Sequence, residues 1–350
     1  MGSIAATLVA DNFKTMLDGI QRPEVGYKPL TAVSLFSGGG GLDLGLEAAG
    51  FHVAYASDIE PPHCLTLSAN FPSCYVEVAD VNQQKGSDII EKANVGEIDL
   101  LAGGPPCQSF SILGKRMALD DPRGKLVYEY ARIVKELRPR AFVFENVPGI
   151  LTVNKGMEWR ALLDFMAEST GYKIYYQVLN SVNYGAPQIR KRVFMVGFRD
   201  QNEFTFPMPT HGPTQLGTLN SLIPWATAKE GLEGVEALHN HRIRPHGERV
   251  KSRYMTVEPG GRDKIDHTDR LHPDRPSGTV IVGSRGGGGR PFIHFSAPRH
   301  LTVREAARLQ TFPDWFKFES TETWQYRAVG NAVPVFMARA VGKQIALALQ

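Results

Sequence analysis

Two side chains of this chain could act together as a nucleophile and an acid, because each directly follows an apolar run. The thiol of Cys107 lies in the segment GGPPCQSFS at residues 103–111, after the apolar run 98–102. The carboxyl group of Glu145 follows the run 141–144. Both runs are predicted to be buried strands, and ligands of open α/β sheets bind at the carboxyl ends of strands. The sequence therefore predicts a candidate active site at one edge of a sheet.

Each of the two residues also has an ordinary structural interpretation. A single cysteine is more often a small buried apolar residue than a nucleophile, and a glutamate after a strand is usually solvated or caps a helix. Pro105 and Pro106 favour the functional interpretation, because two prolines fix φ and remove two backbone donors. A cysteine that only packs needs no such rigid turn.

The pattern of apolar residues predicts an α/β sheet that would position these groups. Strands are expected at residues 31–36, 52–56, 75–79, 98–102, 141–144, 173–179 and 193–198, and helices at 42–49, 125–137, 303–311 and 335–348. Thr302 and Glu305 have the spacing of a capping box, which favours a structural role for that glutamate. The segment 326–334 is predicted to be a turn that brings an asparagine to a ligand.

A glycine-rich turn at residues 37–41 lies between the first predicted strand and the helix after it. Missing side chains let a ligand approach the backbone there, although no strict G-x-G-x-x-G can be aligned. Asp58 and Asp80 end the next two strands, where a carboxylate can accept hydrogen bonds from ribose hydroxyls, and Ile59 could offer an apolar face to a purine. The pattern indicates a cofactor that contains adenosine, whereas a flexible glycine loop is the alternative.

Three polar residues, Gln188, Arg190 and Arg192, alternate with other residues before the last predicted strand. If this segment is extended, the three side chains share one face, so that two guanidinium groups and an amide converge. A solvated charged face is the other interpretation.

The segment from residue 203 to about residue 300 differs from the rest in composition. Residues 239–300 contain 12 Lys plus Arg against 6 Asp plus Glu, although the net charge of the whole chain is only +3. This local excess indicates contact with a polyanion, and guanidinium groups suit both guanine edges and phosphates. We predict a second, smaller, irregular or β-rich domain; a charged insertion without function is the alternative.

Composition excludes several classes of protein. The chain has 350 residues, of which 42% are hydrophobic and 21% charged, as in soluble globular proteins. It contains neither a run near the ~20 apolar residues of a membrane span nor a secretory signal. Cys64, Cys74 and Cys107 have no Cys-x-x-Cys spacing, which argues against a disulfide framework or a zinc site, and we expect no bound metal and a reduced, intracellular protein.

Taken in order, these segments resemble the DNA (cytosine-5) methyltransferases of bacterial restriction–modification systems. The matching stretches are 36–42 (FSGGGGL), 58–59, 80, 103–111, 144–147 (FENV), 188–192 (QxRxR), 301–305 (LTxRE) and 330–333 (GNAV). They extend over nearly the whole chain. The resemblance implies a Rossmann-like methyltransferase domain, with a mostly parallel mixed sheet and helices on both faces, plus a smaller target-recognition domain.

The resemblance also implies roles for particular residues. Cys107 would be the nucleophile, Glu145 would engage N3 and the exocyclic amine of the base, and Arg190 would be the second residue to contact the base. Gln188 and Arg192 would hold neighbouring structure. The pocket for S-adenosyl-L-methionine, which leaves as S-adenosyl-L-homocysteine, would be lined by Phe36, Gly38, Gly40, Leu42, Asp58, Ile59, Asp80, Pro105, Asn331 and Ala332. DNA would be contacted by Gln108, Ser109, Lys115, Arg116, Arg242, Arg244 and Arg285.

The implied organisation is an N-terminal extension (1–30), a catalytic and cofactor-binding domain (31–202), a target-recognition domain (203–300) and a C-terminal return to the catalytic domain (301–350). The implied activity is methylation at C5 of a cytosine flipped out of double-stranded DNA, by a monomer in the prokaryotic cytoplasm, associated with the nucleoid and paired with a restriction endonuclease. The alternative substrate is tRNA. The branch of the family that methylates RNA typically carries a Cys-Phe-Thr tripeptide, which this sequence lacks.

Overall fold

The predicted sheet is present in a computed structural model, which describes residues 13–23, 30–106, 126–213, 222–281 and 292–350. Its strands lie within about two residues of the predicted bounds. They are β1 (Leu30–Leu35), β2 (Phe51–Asp58), β3 (Tyr75–Val78), β4 (Leu100–Gly103), β5 (Ala141–Asn146), β6 (Lys173–Asn180) and β7 (Lys191–Phe198).

The strands lie in the order β3-β2-β1-β4-β5-β7-β6. The pairings from β3 to β5 are parallel, whereas β7 is antiparallel to both β5 and β6. The strand order reverses between β1 and β4. A crevice opens at such a switch point, outside the carboxyl ends of the strands, and the glycine turn and the proline turn both begin there.

Helices cover both faces of the sheet because successive strand residues point to opposite sides. In β5, for example, Val143 packs into one hydrophobic cluster and Phe142 into the other. The helices are α1 (residues 13–18), α2 (Gly41–Glu47), α3 (Pro61–Asn70), α4 (Gly86–Ala93), α5 (Leu126–Leu137), α6 (Met157–Thr170), α7 (Ala228–Leu232), α8 (Glu248–Met255), α9 (Val303–Leu309), α10 (Glu322–Asn331) and α11 (Val335–Ala348).

The predicted capping box is present at the start of α9, where Thr302 and Glu305 exchange side-chain and backbone hydrogen bonds. The carboxylate of Glu305 also pairs with both terminal guanidinium nitrogens of Arg299 at 2.8 Å, and it is buried, as a structural role requires. The predicted turn at 326–334 is wrong over its first part, because residues 326–331 belong to α10.

The N-terminal segment packs on the body of the protein over its described part. Phe13 and Leu17 of α1 are buried in the main hydrophobic cluster, and the Phe13 ring lies 6.1 Å from the Phe336 ring. The indole nitrogen of Trp315 donates to the carbonyl of Ile20 at 2.7 Å. Residues 13–20 are therefore packed on the core, and residues 13–18 of the predicted N-terminal extension form a helix.

The described part of segment 203–300 has few regular elements, namely α7, α8 and the two short strands β8 (His211–Gly212) and β9 (Ile223–Pro224). Its apolar side chains, Phe204, Leu271 and Phe292 among them, belong to the same hydrophobic cluster as helices α2, α9 and α11. The predicted domain boundaries thus stay predictions. Within the described ranges, no helix is both long and apolar enough to span a membrane.

Candidate active site

The proline turn and Glu145 meet at the carboxyl ends of β4 and β5. The parallel register pairs Gly103 with Phe144, so the residues that follow each strand lie side by side. A side chain added at Gly104 would place its Cβ 3.0 Å from Oε2 of Glu145, so glycine allows this close approach. Cys107 itself lies outside the described residues, and the buried Pro105 and exposed Pro106 are the last two before it.

Asn146 ties the proline turn to β5. Its side-chain amide donates to the carbonyl of Pro105 at 2.9 Å, and its side-chain oxygen accepts from the backbone of Val147 at 2.9 Å. The side chain is buried, so these hydrogen bonds are shielded from water. The sequence did not single out Asn146, although its place directly after Glu145 was a usable signal. Asn146 fixes the turn from which the chain continues to position 107.

The carboxylate of Glu145 pairs with Arg192, whose Nε lies 2.8 Å from Oε1. The antiparallel register opposes Glu145 to Phe194, so Arg192 is the diagonal neighbour on the same face of the sheet. Burial raises the pKa of Glu145, and the charges of Arg192 and Arg190 only partly oppose that rise. Burial also lowers the pKa of Arg192. The arrangement suits a carboxyl group that holds a proton next to a cationic donor.

Arg190 bonds to two backbone carbonyls. The residue is 1% exposed, and its guanidinium group donates to the carbonyls of Val280 at 2.7 Å and Gly330 at 2.8 Å. Burial lowers its pKa to about 9. Burial alternates along this segment as a shared face requires, because Gln188 and Arg190 are buried whereas Ile189 and Lys191 are exposed. Arg190 lies directly before β7, which begins at Lys191. Arg192, rather than Arg190, contacts the carboxyl group of Glu145.

Gln188 connects three separate segments. Its amide nitrogen donates to the carbonyl of Leu309 at 3.1 Å and to the side chain of Gln310 at 2.8 Å, and its oxygen accepts from the backbone of Val280. The side chain is fully buried. Gln188 therefore holds the end of α9 and segment 203–300 against the start of β7.

The glycine turn after β1 has the backbone of a ligand cradle. Phe36 has φ of 56°, and Gly38 and Gly40 have φ of 53° and 78°, a left-handed region that glycine adopts freely and phenylalanine only under strain. A Cβ at Gly38 would meet no atom within 4 Å, so this side of the turn is open.

The other side of the turn packs against the chain that follows α10. A Cβ at Gly41 would lie 2.3 Å from the carbonyl oxygen of Val333, and one at Gly39 would lie 2.6 Å from that of Ala328. This packing brings buried Ala332 against the turn, and exposed Asn331 precedes it in the chain.

The predicted adenosine-binding residues lie at the ends of β2 and β3. Asp58 accepts a hydrogen bond from the backbone of Gly38 at 2.8 Å, and Ile59 beside it is 62% exposed. Asp80 accepts from the backbone of Asn82 at 3.0 Å. An exposed apolar side chain beside an open glycine turn and two carboxylates fits a nucleoside. Leu42 is 8% exposed and packs within the main hydrophobic cluster.

A buried carboxyl group lies beneath the glycine turn. Asp43 of α2 is fully buried, and the hydroxyl of Ser37 is 3.5 Å from its Oδ1. Burial raises the pKa of Asp43 to about 6, against the opposing effect of hydrogen bonds that include Ser34 and Ser37. Nothing in the sequence pattern distinguished this residue from the polar positions of an ordinary helix.

The predicted DNA contacts are only partly described by the structure. Arg242 is exposed, and Arg244 pairs with Glu322 of α10 at 2.6 Å. The ion pair of Arg244 joins segment 203–300 to the helix that ends beside the glycine turn. The other predicted contacts lie outside the described residues, namely Gln108, Ser109, Lys115, Arg116 and Arg285.

A comparison with protein families agrees with this geometry. The family described as C-5 cytosine-specific DNA methylase matches residues 30–347. The chain belongs to this family. It is therefore a DNA cytosine-5 methyltransferase, as the motifs predicted.

Bacterial type II methyltransferases are similar in sequence to this methyltransferase over most of its length. It is 36% identical to the type II methyltransferase M.XorII of Xanthomonas oryzae pv. oryzae, over 91% of this chain and 85% of that protein. It is 37% identical to the type II methyltransferase M1.HphI of Haemophilus parahaemolyticus, over 90% of this chain and 86% of that protein.

Solved structures confirm the methyltransferase fold. A protein from an E. coli prophage, described as a DNA modification methyltransferase, has a TM-score of 0.76 and 28% identity, over 91% of this chain and 99% of that chain. The Dnmt2 methyltransferase of S. pombe has a TM-score of 0.65 and 21% identity, over 91% of this chain and 98% of that chain. The second likeness is one of fold alone.

Proposed function

We propose that this methyltransferase modifies one cytosine within a defined sequence of double-stranded DNA, with S-adenosyl-L-methionine as methyl donor. The observation that best supports the proposal is the buried pair of Glu145 and Arg192 beside the turn that leads to Cys107. A protonated carboxyl group and a guanidinium group suit the polar edge of a pyrimidine. The thiol of Cys107, which follows this turn in the sequence, would attack its ring.

In this proposal Cys107 attacks C6 of the cytosine as a thiolate, which makes C5 nucleophilic. Glu145 holds its proton at N3 and so stabilises the negative charge that develops in the ring. Burial raises the pKa of Glu145, which favours the protonated form that this role requires. After methylation, loss of the C5 proton and departure of the Cys107 sulfur restore the aromatic ring.

We assign the second base contact to Arg192 instead of Arg190. The two terminal guanidinium nitrogens of Arg190 already donate to backbone carbonyls, and the residue is shielded from solvent, although its Nε is buried without a hydrogen-bond partner among the described residues. Arg192 lies on the same face as Glu145 and keeps 11% of its side chain exposed. A base seated against Glu145 would therefore meet Arg192 first.

The methyl donor would be held by the glycine turn with Asp58, Ile59 and Asp80, and by Asn331 and Ala332 from the C-terminal side. It would supply an electrophilic methyl group. The open side of Gly38 and the exposed side chain of Ile59 support this placement.

The reaction requires the cytosine to leave the base stack, because its C6 is not accessible inside a duplex. Segment 203–300, with its excess of positive charge, would hold the DNA. The names of the bacterial relatives support a role as the protective enzyme of a restriction–modification system. We further propose that the enzyme acts as a monomer in the prokaryotic cytoplasm, where a cognate endonuclease cuts unmodified sites.

Duplex DNA with 5-fluorocytosine at the target tests this mechanism. Fluorine cannot leave C5 as a proton does, so wild-type protein with the methyl donor should accumulate a protein–DNA adduct that survives denaturant. Cys107→Ser should form none. Equal adduct yields from the two proteins would exclude Cys107 as the nucleophile.

Transfer of tritium from labelled donor to duplex DNA, compared with tRNA, tests the substrate. The family match to DNA methylases favours DNA. Preferential labelling of tRNA would overturn the proposal while leaving the catalytic roles in place.

A further inference from the structure

His63 is a buried histidine that contacts the predicted cofactor pocket. It lies in the first turn of α3 and is 6% exposed. Its Nδ1 is 3.1 Å from Oδ1 of Asp58. The ring packs edge-on against Trp324 of α10, with ring centres 5.7 Å apart and an angle of 87°. Trp324 therefore limits the movement of the imidazole that contacts Asp58.

The two oxygens of Asp58 have different numbers of protein donors. Oδ1 accepts from the backbone of Glu60 at 2.9 Å and faces Nδ1 of His63, whereas the one donor to Oδ2 within the described part of the chain is the backbone of Gly38 at 2.8 Å. A carboxylate oxygen has about two lone-pair sites. Oδ1 is thus filled, and Oδ2, beside the glycine turn, is the oxygen that can accept another hydrogen bond.

The other ring nitrogen of His63 supports this donor role. Among the residues that the structure describes, Nε2 is buried and has no hydrogen-bond partner. A proton on Nε2 would therefore be desolvated without an acceptor, which is costly. The tautomer that satisfies the ring carries its proton on Nδ1, where it donates to Asp58.

We propose that His63 is a positioning residue that fixes the carboxylate of Asp58, so that Oδ2 is presented to a ribose hydroxyl of the methyl donor. The inference rests on the proposed function, because it assumes that this pocket binds the donor. His63 touches neither the donor nor the DNA in this proposal; it acts only through Asp58. Its loss should therefore weaken donor binding and leave DNA binding alone.

The test compares His63→Asn with His63→Leu. Asparagine can place its amide nitrogen close to the position of Nδ1, whereas leucine fills the space without a donor. Calorimetric titration of S-adenosyl-L-methionine into the protein without DNA should give a Kd about tenfold higher for His63→Leu, the size expected for one hydrogen bond to a charged group. His63→Asn should stay within about threefold of wild type, which is less than one such bond. KM for DNA should not change.

His52→Leu is the matched control. His52 also faces a carboxylate, with Nδ1 3.6 Å from Glu47, but on the opposite end of β2 from the pocket. We expect its donor Kd to equal that of wild type. If His63→Leu does not fold, His63→Gln serves instead, because its longer side chain places the amide near Nε2 and should bind the donor as weakly.

The positioning role would be overturned if His63→Asn and His63→Leu bound the methyl donor with equal Kd. It would also be overturned if His52→Leu raised that Kd as much as His63→Leu does. Asp58→Ala separates this failure from failure of the proposed function. If Asp58→Ala binds the donor as wild type does, the pocket assignment is wrong. If Asp58→Ala weakens binding and the His63 variants do not, only the positioning role fails.

Discussion

Exchange of Arg190 or Arg192 for lysine should separate stability from catalysis. Both replacements keep the positive charge and lose the planar fork of five donors. We expect Arg190→Lys to lower the melting temperature and Arg192→Lys to lower the rate. This expectation is the reverse of what the sequence pattern alone suggested for the pair.

The magnitudes follow from the hydrogen bonds of each side chain. Arg190 joins the carbonyls of Val280 and Gly330, which belong to two different segments, at 2.7 and 2.8 Å. One ammonium group cannot replace a fork at both, and each buried carbonyl left without a donor costs about 1–3 kcal/mol. At about 2 °C per kcal/mol for a large domain, the melting temperature should fall by about 2–6 °C.

Arg192→Lys keeps a cationic hydrogen-bond donor beside the carboxyl group of Glu145, so the melting temperature should change by less than about 2 °C, equivalent to about 1 kcal/mol. The loss of a fixed donor where charge develops should lower kcat about 10²-fold. KM for the methyl donor should stay at the wild-type value, because Arg192 lies at the ends of β5 and β7, away from the glycine turn.

Thermal unfolding followed by circular dichroism, and steady-state kinetics with duplex DNA, measure both effects on the same preparations. The reasoning is refuted if Arg192→Lys keeps the wild-type kcat while Arg190→Lys loses it at an unchanged melting temperature. That outcome would return the base contact to position 190.

Three further changes test other parts of the site. Burial raises the pKa of Asp43 from 3.8 to about 6, so the free energy of unfolding of the wild type should fall as pH rises from 3.8 to about 6, by about 3 kcal/mol in total. Urea unfolding of Asp43→Asn should lack this fall. An identical pH dependence of the two proteins would contradict the burial argument. Gly41→Ala should abolish donor binding or folding because its Cβ would lie 2.3 Å from the carbonyl of Val333, whereas Gly96→Ala, which meets no atom within 4 Å, should match wild type in donor titration. Asn146→Ala should slow formation of the 5-fluorocytosine adduct more than it lowers the melting temperature, and the reverse order would make its role purely structural.

Local patterns in the sequence predicted most of the sheet and the candidate reacting groups. Each of these features is recognised from residues that are close together in the sequence. They are the strands predicted from short apolar runs, the glycine turn, the proline turn before Cys107 and the carboxyl group of Glu145. The capping box of Thr302 is equally local, since both of its hydrogen bonds lie within one turn. Such features are readable because their physical causes span only a few positions.

Tertiary structure decided which polar side chains meet. Arg192 contacts Glu145 because of the register between β5 and β7, and a shift of one residue would send its side chain to the other face. Asn146 bonds to Pro105 across 41 positions, and His63 meets Trp324 from the far end of the chain. Contacts between distant segments depend on how whole elements pack, and no local period of the sequence contains that information.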